Sequence, residues 1–461
     1  MNKELFSDFD AVSAKGWKQK IQVDLKGADY NDTLIWQSLE GIHVKPFYHQ
    51  DNFSQAFNSI PGHPQEWSIG QALFIDDETI ANKLAKDALA RGADVLFFTS
   101  EKEFDIQKTF EDINAGEVRV YFDLKFLSAA FINKLHDFFG KENNNLFYNI
   151  DIIGNLASSG NWFQNLKEDH SKLETIVSEA PKSNILSVDS SLYQNAGANM
   201  VQQLAYALAH ANEYLNHFHE TLNDEDLSMT FKVAIGPNYF FEIAKIRALR
   251  NLYAALAREY GVSENCHIIS TPSKRNKTLY DYNVNMLRTT TECMSAILGG
   301  ANTICNLPYD ALYHKSNEFG ERISRNQLLI LKSESYFDMV SNAADGSYYI
   351  ESLTNELAEK ALALFKSIEK SGGFLGQLKE GTIQRKIKES AQKEQDLFNN
   401  GSLVLLGTNK HPSELDLMKD DLELYPFVKR KARKTLIAPI ITKRLAEQNE
   451  QDRLTKEETN A

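Results

Sequence analysis

The side chains of this chain that could do chemistry are few and scattered. His210, His217 and His219 lie close together in sequence. The spacing puts His210 and His217 on one helical face and turns His219 away, and no cysteine or nearby carboxylate completes a shell. They are expected to be ordinary surface histidines, and no metal site is expected. Cys266, Cys293 and Cys305 are odd in number and show no CxxC spacing, so they read as buried thiols of a reducing cytoplasm. Asp151 and Asp189 could carry acid–base chemistry, but a structural polar layer explains two isolated carboxylates equally simply. The glycines of GGFLGQ (Gly372, Gly373 and Gly376) do not stand between a strand and a long helix in the manner of a phosphate cradle, and a turn is expected there. Asp345-Gly346-Ser347 also has turn chemistry. No nucleophile elbow or Ser–His–Asp set is present.

Composition narrows the field. The chain has 461 residues, 42% hydrophobic and 25% charged, enough for one large domain with extensions. Its net charge of −13 argues against nucleic acid as a partner. No apolar run approaches the roughly 18 residues of a membrane span, and the opening MNKELFSDFD lacks the apolar core of a signal peptide.

Any site must be positioned by the elements between. From Trp67 onward, short apolar runs alternate with amphipathic segments. The strands read are Ile69–Ile75, Asp94–Thr99, Val118–Leu124, Leu146–Ile153, Ile185–Val188, Met229–Ile235, His267–Ser270 and Asn302–Cys305. Met200, Leu204, Leu208, Ala211 and Leu215 form one helical stripe, and Ile246, Leu249, Tyr253 and Leu256 another. Eight strand–helix units force parallel pairing through crossovers, and at this length they predict a closed (β/α)8 barrel. Several strands alternate in polar residues: Asn149 and Asp151, Ser187 and Asp189, Thr230 and Lys232. Two explanations stand, a hydrated barrel axis and a hydrogen-bonded polar layer at one barrel end. The expected organisation is an arm at 1–35, the barrel at 36–400 and an extension at 401–461. Within the extension LVLLGTNKHP (Leu403 to Pro412) looks like a strand, the basic VKRKARK (Val428 to Lys434) like a solvated surface, and the charged end like a helix.

Particular stretches carry a family resemblance. These are WQSLEGIHVKPFY (Trp36 to Tyr48), VAIGPNYFFEIAKIRALR (Val233 to Arg250), LRTTTE (Leu287 to Glu292), RISRN (Arg322 to Asn326), GSYYIESLT (Gly346 to Thr354) and LLGTNKHP. Together and in order they resemble the methylmalonyl-CoA mutase family. The matching scaffold positions are Gln194, Gly197, Asn238, Asn285, Arg288, Arg322, Arg325 and Asn326. The resemblance implies a barrel whose axis takes the pantetheine arm of an acyl-CoA, with adenosylcobalamin at one face.

The same alignment implies that the chemical residues are gone. A family Tyr loop would lie where this chain has only SIPGHPQEWSIGQ (Ser59 to Gln71). The family His that hydrogen-bonds the thioester falls on Leu192, which can neither donate to an oxygen nor carry a proton. A His-x-Gln after the seventh strand falls on Ile269-Ser270-Thr271, and two cofactor-side contacts fall on Leu307 and Ala311. The cobalt-ligating Asp-x-His-x-x-Gly motif belongs to a further domain of on the order of 130 residues. About 50 residues follow His411 and none is histidine, so that domain is not expected here. No catalytic, cofactor-binding or metal-binding residue is therefore expected on this chain. The resemblance implies the small subunit of a heterodimeric mutase, inactive alone and cytoplasmic. Its partner would be a large catalytic subunit that holds adenosylcobalamin and interconverts methylmalonyl-CoA and succinyl-CoA. Two other readings stand beside it: a barrel that borrows cobalamin from a separate chain, and a barrel repurposed for chemistry at Asp189 or Asp151.

Overall fold

Eight short runs rich in β-branched and aromatic residues become strands, because such side chains pack well on a surface covered from both sides. They are β1 (Ser68–Phe74), β2 (Val95–Ser100), β3 (Arg119–Leu124), β4 (Leu146–Ile150), β5 (Asn184–Asp189), β6 (Met229–Ile235), β7 (Cys266–Pro272) and β8 (Thr303–Cys305). In this computed structural model, which describes residues 7–54, 57–114, 116–140, 143–179, 184–219, 228–429 and 432–459, each strand pairs in parallel with the next. Thr303 to Cys305 then pair with Ser68 to Gly70 and close the ring. The expected (β/α)8 barrel is what forms. One strand end differs by more than two residues: β4 stops at Ile150, and Asp151 caps the next helix (Ile152–Ser159) by accepting from the Gly154 amide at 2.7 Å. A short polar side chain beside helix-forming residues favours a cap over continued strand.

The helices bury their stripes against the strands' outer faces. Met200, Leu204, Leu208, Ala211 and Leu215 are all buried, as are Ile246, Leu249, Tyr253 and Leu256. The helices Met200–Phe218 and Tyr239–Tyr260 are also covered on their outer side, by the helix Tyr348–Lys370. That second layer explains why charged residues such as Arg247 and Arg250 are wholly buried there. Arg247 donates to Glu351 at 2.6 Å and also pairs with Asp345, while Arg250 donates to the Gly300 and Cys266 carbonyls. Gly300 ends the helix Val284–Gly299 at φ 88°, and a Cβ there would lie 2.5 Å from the His63 ring. Glycine answers both constraints.

Two expectations about the glycine-rich and C-terminal segments are corrected. GGFLGQ is not a plain turn, because Gly373–Lys379 is a helix that follows Gly372 at φ 100°. Phe374 and Leu378, one helical turn apart, are fully buried and pull the segment onto the helix Met200–Phe218. LVLLGTNKHP forms no strand, only a single bridge between Leu406 and Lys410, since Gly407 at φ 77° turns the chain. The charged end does form a helix, Glu447–Thr459. At the other terminus the helix Ala14–Asp24, capped by Ser13, buries none of its residues. Phe9, Trp17 and Val23 are exposed at 77%, 50% and 72%, while Leu5 and Phe6 lie outside the described residues.

Candidate functional site

Strand alternation sends Val95, Phe97, Tyr121, Phe147, Ile269 and Cys305 into the barrel, where they form a cluster of their own. The Tyr121 and Phe147 rings are 4.7 Å apart and Phe147 and His267 are 4.4 Å apart, centre to centre. The Tyr121 hydroxyl lies 2.7 Å from both His267 Nε2 and Thr303 Oγ1. Burial, then the charges of Arg119 and Arg250, hold the His267 imidazole far below its usual pKa, so the ring is neutral. At this level aromatic rings fill the axis.

Just above lies the polar layer. Lys232 Nζ is 2.8 Å from an Asp189 oxygen and 3.2 Å from Asp123, and Lys125 is 2.8 Å from Asp123. Burial works against the Asp123 charge, but Lys232 and Lys125 outweigh it and hold the carboxyl down to about 2. The same carboxylates raise the Lys232 pKa despite burial. Of the two explanations for polar alternation, the ion-paired layer at the C-terminal end is the one realised, together with Thr230 and Ser187 buried below it.

Asp151 belongs to a separate buried network. It accepts from the Asp189 amide and from the Tyr214 hydroxyl, each at 2.8 Å, and lies 2.9 Å from His210 Nε2. Burial tends to raise its pKa, but His210 and the hydrogen bonds lower it on balance. His210 Nδ1 is 2.8 Å from the Tyr193 hydroxyl. His210 is therefore no surface histidine: it is fully buried, with Phe374 stacked 5.3 Å from its ring. The helix Gly373–Lys379 that covers it was the segment expected to be a turn. His217 does reach the surface, paired with Glu174 at 2.9 Å.

Over the polar layer opens a cavity of about 940 Å³ at the C-terminal ends of the strands, where a barrel carries its site. Leu192, Thr271, Leu307 and Ala311, which sequence places on three different units, all line it. Asp123, Asp151, Asp189 and Lys232 line its floor, with Phe97, Ile269 and Cys305 beneath. One wall comes from residues the sequence did not suggest, Tyr425 to Lys429 and Ile440 to Arg444. This C-terminal segment crosses the mouth through backbone bonds. The Ile440 amide donates to Ala157 O, the Lys443 amide to Asn195 O and the Leu445 amide to Arg275 O, at 2.8, 3.1 and 2.9 Å.

The eight scaffold positions lie outside the cavity lining. Gln194 accepts from Lys245 at 2.8 Å and donates to Glu242 at 3.2 Å. Gly197, at φ 96°, lets Ala391 approach so closely that a Cβ would be 2.5 Å away. Asn238 precedes the helix Tyr239–Tyr260 without a side-chain cap bond. Asn285 bonds the Thr278 backbone and Tyr309 O, and Arg288 donates to Asn285 and to Leu406 O, each at 2.7 Å. Arg325 donates to Gln71 at 2.7 Å. Arg322 and Asn326 are exposed, Arg322 lying over the Phe319 ring.

The cavity does not fit the cobalamin cofactor that the resemblance implies. Among the described residues its lining holds no histidine to ligate a metal, and residues 440–445 cross its mouth. The three cysteines are buried free thiols; burial pushes Cys305 up to about 12, which keeps it protonated and a poor ligand. No described helix is long and apolar enough to cross a membrane.

The profile of the family described as Methylmalonyl-CoA mutase matches residues 105–457. A methylmalonyl-CoA mutase small subunit from Porphyromonas gingivalis is 33% identical over 92% of this chain and 73% of its own length. A second small subunit, from Streptomyces virginiae, is 36% identical over 44% of this chain and 34% of its own. A methylmalonyl-CoA mutase of Rhizobium meliloti is 28% identical over 92% of this chain but 66% of its own length, so this chain spans just under two thirds of that protein. Matched from residue 105 to residue 457, and to a small subunit over nearly its whole length, the chain belongs to the methylmalonyl-CoA mutase family.

Proposed function

We propose that this chain is the small, non-catalytic subunit of a cytoplasmic, adenosylcobalamin-dependent methylmalonyl-CoA mutase. Its role is then structural, as partner to a large subunit that holds the cofactor and converts methylmalonyl-CoA and succinyl-CoA. The observation that carries this reading is the filled axis: Phe97, Tyr121, Phe147 and His267 occupy the path a pantetheine arm would need. Leu192, Leu307 and Ala311 around the cavity supply no donor or proton carrier. Asp151 and Asp189 are both engaged, one with His210 and Tyr214 and the other with Lys232, which argues against a repurposed acid–base site.

The purified chain should show no turnover of methylmalonyl-CoA with adenosylcobalamin, and Leu192→His should not restore it, since such sites act as a unit. Co-expressed with a full-length catalytic mutase chain, it should elute from size-exclusion chromatography as one heterodimer. Turnover by the single chain, or separate elution at micromolar concentration, would overturn the subunit reading. The exposed Phe9, Trp17 and Val23 suggest that the arm is part of the clasp. Removing the residues before Asp32 should weaken association at least about tenfold, or about 1.4 kcal/mol, with an unchanged circular dichroism spectrum. Unaltered affinity would remove the arm from the interface.

A further inference from the structure

The cavity carries more positive charge than its own carboxylates neutralise. Of the cations lining it, Lys125 pairs with Asp123, Lys232 with Asp123 and Asp189, Arg275 with Glu394 and Arg444 with Glu450. Lys274, Lys429 and Lys443 line it too, and among the described residues none has a carboxylate within 4.0 Å. The remaining acidic groups of the lining are spoken for. Glu447 accepts from the Val428 amide at 2.9 Å, and Glu321 accepts from Ser316 at 3.0 Å and from Gln71 at 2.5 Å.

Two of the unpaired lysines are fixed by a single residue. The Asn195 side-chain oxygen accepts from the Lys274 amide at 2.9 Å, and the Asn195 carbonyl accepts from the Lys443 amide at 3.1 Å. Arg275 Nη1 then donates to Lys443 O at 2.7 Å. Both lysine stems therefore start from one braced patch of the mouth, where the end of β7 meets the C-terminal crossing. Burial lowers the Lys274 pKa, although the residue remains exposed. Both side chains are exposed, and a cationic patch without carboxylates of its own attracts an anion. Opposite them the wall is apolar, with Leu192, Pro272, Leu307, Phe427 and Ile440.

We propose that this cavity binds a small organic anion, a carboxylate or phosphate monoester with an apolar body, whose charged group sits on Lys274 and Lys443 and whose body lies against the Leu192–Leu307–Phe427 wall. Every residue in the site belongs to this chain, so the site stands or falls independently of any pairing with a catalytic subunit. Nothing in it requires a passage down the barrel axis, which is closed beneath.

Pyridoxal 5′-phosphate is a suitable probe, because it joins a phosphate and an aromatic ring to an aldehyde. The unprotonated Lys274 amine would attack the aldehyde carbon, lose water and form an imine. Borohydride then delivers hydride to the imine carbon and fixes a secondary amine that peptide mass spectrometry can locate. On the full-length chain at limiting probe, Lys274 should be labelled about tenfold faster than exposed lysines such as Lys20 and Lys386, the effect of one charge-assisted contact. Phenyl phosphate should protect it, whereas phenol at the same concentration should not. Lys443→Met should slow labelling of Lys274 several-fold, and Lys274→Met should weaken phenyl phosphate binding by about tenfold in calorimetry. Uniform labelling of surface lysines, equal protection by phenol, or unchanged phenyl phosphate affinity in Lys274→Met would each overturn the assignment.

Discussion

Replacing Lys245 with methionine is expected to cost the fold about 3 to 5 kcal/mol, close to the limit a domain of ordinary stability tolerates. Lys245 is only 2% exposed and sits 2.5 Å from Glu242, which is not exposed at all. Its ammonium also donates to Gln194, Gln203 and Ala234 O at 2.8, 3.0 and 2.8 Å. Methionine matches its length but removes the ammonium that the three acceptors share and leaves the buried Glu242 carboxylate without its countercharge, held only by the Gly236 amide and Gln194. The pair itself is no large net gain: burial lowers the Lys245 pKa although Glu242 pulls it up. The penalty therefore comes from breaking the pair, and removing both charges should recover much of it. Urea unfolding of Lys245→Met, Glu242→Met and the double variant distinguishes the cases. A single variant within about 1 kcal/mol of the parent, or a double variant as unstable as the sum, would show that the network carries no such strain.

That network also shows what a sequence can and cannot disclose. All eight strands were legible, because buried parallel strands are short apolar runs between polar turns, and the stripe from Met200 to Leu215 was legible through its period. The burial of His210 was not. It depends on the short helix Gly373–Lys379 folding back over its ring, a contact between segments far apart in the chain. The glycines that looked like a turn in fact precede Phe374, whose burial makes the helix worthwhile.

The cavity divides in the same way. Leu192, Thr271, Leu307 and Ala311 came from the family pattern, and the fold gathers them around one space. Lys274 and Lys443 carried no signal, since only the Asn195 bridge brings the C-terminal segment to the end of β7. The alternating polar residues of the strands were visible, but alternation reports the face and not the state of what lies there. Phe97, Tyr121 and Phe147 close the axis below, and ion pairs make the layer above. A hydrated axis would have shown the same alternation of Ser, Thr and Asp.

The ion-paired layer gives the second large effect, and it should appear as a reversal with pH. In the parent chain the Asp123 carboxyl is held down to about 2, against roughly 3.9 in an unfolded chain. A depressed folded value means that its stabilising contribution is complete above about pH 4 and is lost as pH falls toward 2, a matter of roughly 2 to 3 kcal/mol. Lys232→Met removes the larger of the two charges responsible and leaves Asp123 and Asp189 on one side of a cavity with Lys125 alone beside them. Burial, which opposes the Asp123 charge already, then sets its direction. A folded value above the unfolded one makes stability fall as pH rises through it, the opposite slope. As pH rises from about 2 to about 4 the parent should gain stability, whereas Lys232→Met should lose it as pH rises above about 4. At neutral pH the variant should therefore be less stable by about 3 kcal/mol, the lower end for a broken buried pair, since both carboxylates keep some solvent contact. The two should converge only as pH falls toward about 2. Denaturant unfolding across that range decides the matter: parallel stability curves would mean that Lys232 fills space in the barrel mouth and does not hold its charges together.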